Sequence, residues 1–302
     1  MVESAPLTLS AQETETLAAW INQRGGVDAV LGSLLSNPRL PEAARVFATN
    51  MQALADSDAA FDAILKDIGR YLITMCVIFL HVRGGVTLPR LKAMLSLRTY
   101  VSPGRARALL HFLCHLDCLT EVPPPTRRDP VRYVPTARLM TAWHNHMRAV
   151  LGASRVIEPV VGAVLDRLDE PAVFTAFCRN HTEFGFGEMR ESHQELAFTR
   201  LFMHRFAGSQ IFGQLLALQG AGEAPLSGAA PISVADLAER HNVSAMHVRR
   251  LLDAGVSEGL LRYDDANGVV LEDAGRATAR FVYAVQIFVF IAAAEKTARE
   301  IA

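Results

Sequence analysis

The stretch from Ile232 to Leu271, ISVADLAERHNVSAMHVRRLLDAGVSEGLLRYDDANGVVL, holds in order two short helices, a tight turn between them and a hairpin. Ser233 is an N-cap residue type, since its hydroxyl can take an orphan N–H of the first turn. Val234 and Leu237 then give the first helix one apolar face as far as Arg240. After a turn at His241 and Asn242, Ser244 caps a second helix, in which Val248, Leu251 and Leu252 share a face and His247, Arg249 and Arg250 point elsewhere. One face is apolar and the other basic. Leu260 to Tyr263 and Val269 to Leu271 read as strands around Asp264-Asp265-Ala266-Asn267-Gly268, where Asn-Gly favours a tight hairpin because both residues tolerate positive φ.

The same logic recurs from Val86 to Val134. Thr87 stands where Ser233 stands, Leu88 and Leu91 match Val234 and Leu237, and Ser102 caps a second helix as Ser244 does. From that cap Ala106, Leu109 and Leu110 fall on Val248, Leu251 and Leu252, and Cys118-Leu119 on Leu260-Leu261, a register held for 18 residues. Four extra residues within Leu95 to Val101 lengthen the first turn. Thr120 to Val122 and Val131 to Val134 would form the first hairpin, around a proline-stiffened tip from Pro123 to Pro130.

Charge divides the copies. Residues 83–138 hold ten Arg or Lys against three Asp or Glu, and residues 232–276 hold five against eight, although the whole chain of 302 residues carries a net charge of only −1. Any affinity for a polyanion must therefore come from local patches, and the first copy is the better phosphate binder.

The arrangement from Ile232 to Leu271, with Glu272-Asp273-Ala274-Gly275-Arg276 turning into a last helix, resembles the winged helix-turn-helix transcription regulators of the multiple-antibiotic-resistance (MarR) type. That resemblance covers about 40 residues. It implies sequence-specific binding of double-stranded DNA, with the second helix of each copy in a major groove and the hairpin as the wing. Two copies in one chain would read two half-sites of a pseudo-palindrome. Candidate DNA contacts are Arg90, Lys92, Arg98, Ser102, Arg105, Arg107, His111, Arg127, Arg128 and Arg132 in the first copy, and Ser244, His247, Arg249 and Arg250 in the second. Arg105 and Arg107 lie near the helix end that meets base edges. Tandem winged helices also occur in chromosome-organising complexes and plasmid replication initiators, so a non-catalytic interaction scaffold is the alternative. The acidic second copy favours that alternative.

The sequence thus predicts a mainly α protein with tandem winged units: residues 1–56 a helical extension, 57–150 the first unit, 151–196 a helical linker, and 197–302 the second unit with a C-terminal helix. Helices are expected from Ser10 to Gln23 and over about 27–35, 41–55 and 58–82. More are expected from Thr136 to Leu151, Arg190 to Leu218 and Arg276 to Ile301, with a loop from Asn180 to Gly187 and a flexible connector from Gly220 to Ala230. The aromatic last helix must be buried in its own chain or against a second copy of it.

Other chemistries find less support. Cys76, Cys114, Cys118 and Cys178 show no Cys-x-x-Cys spacing, which fits a reducing cytosol, and Cys114 and Cys118 read as buried thiols rather than a redox pair. His111 and His115 share a helical face with Cys114 or Cys118, but no further ligand stands at metal spacing. No nucleophile elbow, phosphate loop, dinucleotide fingerprint or zinc-protease motif is present, and Glu188, Glu191, His193 and Glu195 read as a charged first helical turn rather than an acid-base cluster, so no enzyme, cofactor or metal is expected. Phe174, Phe177, Phe184 and Phe186 would pack a core or line a pocket for a small-molecule effector. Glu3 near the start argues against a signal peptide, and the apolar runs Tyr71 to Val82 and Phe281 to Ala294 are shorter than a membrane span.

Overall fold

The computed structural model describes residues 22–95, 103–124, 126–187, 198–219, 229–231, 233–264 and 268–302. Two helix-helix-hairpin units stand on a shared helical body. Among the described residues the first complete helix is α1 (Val27–Ser36), which follows Gly25 and Gly26 at positive φ, and then come α2 (Leu40–Ser57), α3 (Ala59–Leu65) and α4 (Ile68–Val82). The expected single helix over 58–82 is divided. Asp58 caps α3 through the amides of Ala60 and Phe61, and Asp67 caps α4 through the amide of Arg70. Carboxylates at both points take up orphan N–H groups, so each starts a new helix.

The first unit comprises β1 (Val86–Thr87), α5 (Leu88–Leu95), α6 (Pro103–His115), β2 (Leu119–Val122) and β3 (Arg132–Pro135). Its antiparallel sheet runs β1-β3-β2, with Val86 opposite Tyr133 and Leu119 opposite Pro135. Thr136 then caps α7 (Ala137–Arg155). The second unit comprises α11 (Val234–Arg240), α12 (Ala245–Ser257), β4 (Leu261–Tyr263) and β5 (Val269–Leu271), and leads into α13 (Asp273–Glu300). Between the units lie a 3₁₀ turn (Pro159–Val161), α8 (Gly162–Leu165), α9 (Pro171–Gly187), a π-turn (Thr199–Met203) and α10 (Gly208–Leu218).

Backbone hydrogen bonds repeat between the units, pair for pair. Cys118 N–H donates to Leu113 O and Leu260 N–H to Gly255 O, both at 2.9 Å, while Thr136 N–H donates to Cys118 O and Glu272 N–H to Leu260 O, both at 3.0 Å. Two residues before the first strand of each hairpin the backbone is left-handed, Asp117 at φ 55° and Gly259 at φ 70°. Thr87 Oγ1 accepts from the Arg90 amide as Ser233 Oγ accepts from Asp236, the latter closing a full capping box. Ala230 bridges Val269, the place that β1 takes on β3 in the first unit.

The packing of the body is reciprocal. Helix α2 lies on α7 and α9 on α13, while α2 also lies on α10 and α9 on α4; α7 meets α13. Each half therefore covers the leading helix of the other, and one hydrophobic core runs from Leu31 to Ala294. The expected extension and linker belong to this core. The expected loop from Asn180 is also corrected, because α9 continues to Gly187 with Phe177, Asn180, His181 and Phe184 buried. Each glycine costs a helix about 1 kcal/mol, less than the burial of two Phe side chains returns. The expected helix over 190–218 breaks before Gly208, where a Cβ would lie 2.6 Å from Phe202 O and where Ala207 N–H donates to Lys66 O. The helix expected from Ser10 lies outside the described residues except for residues 22 and 23, as do the 188–197 charge cluster, most of the connector from Gly220 and the hairpin tip at 265–267.

Helix α13 is covered by α1, α2, α7 and α9, so most of its apolar surface is buried in its own chain. It is the one helix among the described residues long and apolar enough to cross a membrane, longer than the run from Phe281 to Ala294 implied, and 67% of its most apolar window is buried inside the protein.

Buried polar groups line the same body. Glu183 on α9 takes Lys296 and Arg83 at 3.0 Å each. His181 stacks on Phe290 at 4.5 Å, and His146 meets Tyr71 Oη at 3.2 Å. Burial drives His146 and His181 down to about 3 and His241 to about 4, so the fold holds all three neutral. The unfolded chain takes up these protons below about pH 6.5, and the native state does so only far lower. Stability is therefore expected to fall as the pH drops from 7 to 5, with a lower urea midpoint; a midpoint that stays level or rises would contradict buried neutral imidazoles. Packing is tested at Gly275, where a Cβ would stand 2.0 Å from Leu260 O. Gly275→Ala is expected to cost at least about 1–3 kcal/mol, while Gly104→Ala, with open space around it, leaves the midpoint unchanged or raises it.

Candidate nucleic-acid interface

Helices α6 and α12 carry the candidate base-reading residues, and the shared register pairs Arg105 with His247, Arg107 with Arg249, Ala108 with Arg250, and His111 with Asp253. The apolar side of each helix is inside: Ala106, Leu109 and Leu110 in one, and Val248, Leu251 and Leu252 in the other. Ser244 caps α12 through the His247 amide. Ser102 and Arg98 lie outside the described residues.

Arg105 and His247 are both turned back onto the body. The Arg105 guanidinium donates to Asp67 Oδ1 at 2.8 Å, sharing that carboxylate with Arg70 at 3.2 Å. His247 Nε2 donates to Phe206 O at 2.8 Å. Asp67 opens α4 and Phe206 lies just before α10, so equivalent residues tie equivalent helices to equivalent points. The expectation that Arg105 and His247 present themselves to bases thus meets a competing contact, since one N–H of each already serves an internal acceptor, while the Arg105 side chain stays half-exposed. Arg90 is held in the same way. Its guanidinium donates to Gly85 O at 2.7 Å and Arg83 O at 3.0 Å, and burial, with Arg83 and Arg132 beside it, depresses its basicity.

What stays outward is a smaller set. Arg107, Arg127, Arg128, Arg132, Arg249 and Arg250 are exposed and, among the described residues, make no ion pair. Lys92 is half-buried on α5. His111 Nδ1 lies 3.6 Å from Glu121 Oε1 on β2, and in the second unit Tyr263 Oη donates to Asp253 Oδ1 at 2.6 Å. Both contacts join helix to first strand at one register position, with acid and donor exchanged. Burial, with the Asp253 carboxylate as hydrogen-bond partner, lifts the Tyr263 hydroxyl to about 12.

Two features escaped the sequence reading. Met246, 57% exposed in the first turn of α12, is a large apolar side chain facing solvent; its place on the basic side of the second helix is the available signal. Lys66, only 4% exposed, forms an ion pair with Asp62 at 2.9 Å and donates to His241 O at 2.6 Å, which fastens the turn between α11 and α12 to the first half of the chain. No local pattern marks a contact between residues so far apart in sequence.

The remaining candidate chemistry is structural. Burial raises Cys118 to about 11 and raises Cys114 and Cys178 as well, which removes thiolate character. No cluster of three His, Cys, Asp or Glu fit to hold a metal exists among the described residues. Phe177 and Phe184 are core side chains, whereas an open cleft of about 420 Å³ lies between Leu54, Asp58 and Phe61 on one side and Arg138, Thr141 and Asn145 on the other. No family model, curated protein or solved structure matches the chain.

Proposed function

We propose that the two units are winged-helix headpieces of a transcription regulator that binds double-stranded DNA, and that one chain does the work of a two-fold dimer. The observation that carries this reading is the pair Arg107 and Arg249. Both are exposed, both are without an ion pair among the described residues, and they occupy one register position on two helices related by reciprocal packing. An arginine so placed can bond the O6 and N7 of a guanine in the major groove. Two headpieces fastened to one body would meet two half-sites about one helical turn apart. The exposed Arg127, Arg128 and Arg132 of the first hairpin add the phosphate neutralisation that most non-specific affinity needs. The proposed work is binding, without catalysis, in the cytosol.

An interaction scaffold is the second reading, and the observation that favours it is the excess of acid in the second unit, five basic against eight acidic residues over 232–276. Selection of bound fragments from genomic DNA separates the two. A transcription regulator enriches a shared motif, and a scaffold enriches none. Within that motif Arg107→Ala is expected to cost about 1–3 kcal/mol and to relax the preference at one base pair. Arg105→Ala, which removes a half-exposed ion pair, is expected to change DNA affinity much less. The reverse ranking would overturn the assignment of α6.

A further inference from the structure

We infer that the preferred duplex is non-palindromic and is bound in one orientation, with the longer contact on the side of the first unit. This rests on the DNA reading above and sharpens which DNA is bound. The two interfaces share one architecture yet differ at almost every outward position. Arg107 and Arg249 agree, but Gly104 stands opposite Met246, Ala108 opposite Arg250, and His111 opposite Asp253 in the shared register. On the hairpins, strand register places Arg132 of the first unit where the second has Gly268. The first loop carries Arg127 and Arg128 and the second carries Asp264 and Asp265.

Each difference has a chemical consequence at DNA. Met246 is exposed and apolar, which suits a thymine methyl and has no counterpart at Gly104. Arg250, exposed and free of ion pairs among the described residues, adds a guanidinium one residue beyond the shared arginine. Ala108 can supply only a methyl. The cationic first loop reaches phosphates flanking its half-site, and the acidic second loop repels them. The second half-site is therefore specified by its helix, and the first is held more by its wing. Two-fold symmetric DNA satisfies only one of these patterns at a time.

The test uses the full chain and four synthetic duplexes built from the selected motif: the motif itself, its two self-repeated halves, and the motif with one half inverted. Expected is binding to the motif at least about tenfold tighter than to any of the other three. Arg250→Ala should weaken the motif and the second-half palindrome about tenfold and leave the first-half palindrome within about twofold. Arg127→Ala and Arg128→Ala should each lower the slope of log affinity against log salt by about 1 and shorten backbone protection at one end only. Equal affinity for a palindrome and the motif, or an equal loss on all duplexes in Arg250→Ala, would overturn the inference while leaving DNA binding intact. Failure to bind any duplex would overturn the DNA reading itself.

Discussion

Reciprocal burial of α2 and α9 is the constraint on which the molecule depends. Each helix covers the leading helix of the other half, α10 and α4 respectively, and each also lies on the last helix of its own half. Neither half can then keep its apolar surface from water alone, and the two units are held in one rigid relation by the same core that stabilises them. Lys66 sits at the crossing. Its carbonyl accepts from Ala207 N–H, its ammonium holds Asp62 and His241 O, and the neighbouring Asp67 receives Arg105 from the first unit. A charge so deeply buried is tolerated because the ammonium is paired with a carboxylate and also donates to a carbonyl oxygen. Packing thus sets where the two outward helix faces lie before any ligand arrives.

Much of the fold is legible in the sequence where the signal is local. Ser233, Ser244 and Thr136 each cap the helix they were expected to cap, and Asp236 completes a capping box. The Asn-Gly turn signal, with short β-forming runs on either side, places β4 and β5 within a residue of their observed ends. The register linking Cys118 to Leu260 reappears in hydrogen bonds of matching length, which a one-residue slip would destroy. Tertiary effects were hidden. Gly185 and Gly187 mark a loop by propensity, yet α9 runs through Gly185 as far as Gly187 because its aromatic and polar side chains are buried.

The candidate interface was legible by residue type and less so by role. Arg90 and Arg105 have the composition of phosphate or base contacts, but each had an internal acceptor within reach, and for Arg105 that acceptor lies 38 residues earlier in the chain. Sequence spacing reports which face of a helix a side chain leaves from, and it does not report what waits there. The exposed arginines that remain are distributed unequally. One unit offers a long cationic hairpin; the other offers a richer helix and an acidic loop. Two similar units in one chain are free to diverge in this way, since the halves of a single polypeptide need not share a sequence as the subunits of a homodimer must.

The most direct test of a fused pair of headpieces is the stoichiometry of the complex, measured by native mass spectrometry or sedimentation on a duplex carrying one selected motif. One chain per duplex, with both half-sites protected, is the expected result. Two chains per motif, or one chain protecting a single half-site, would contradict it.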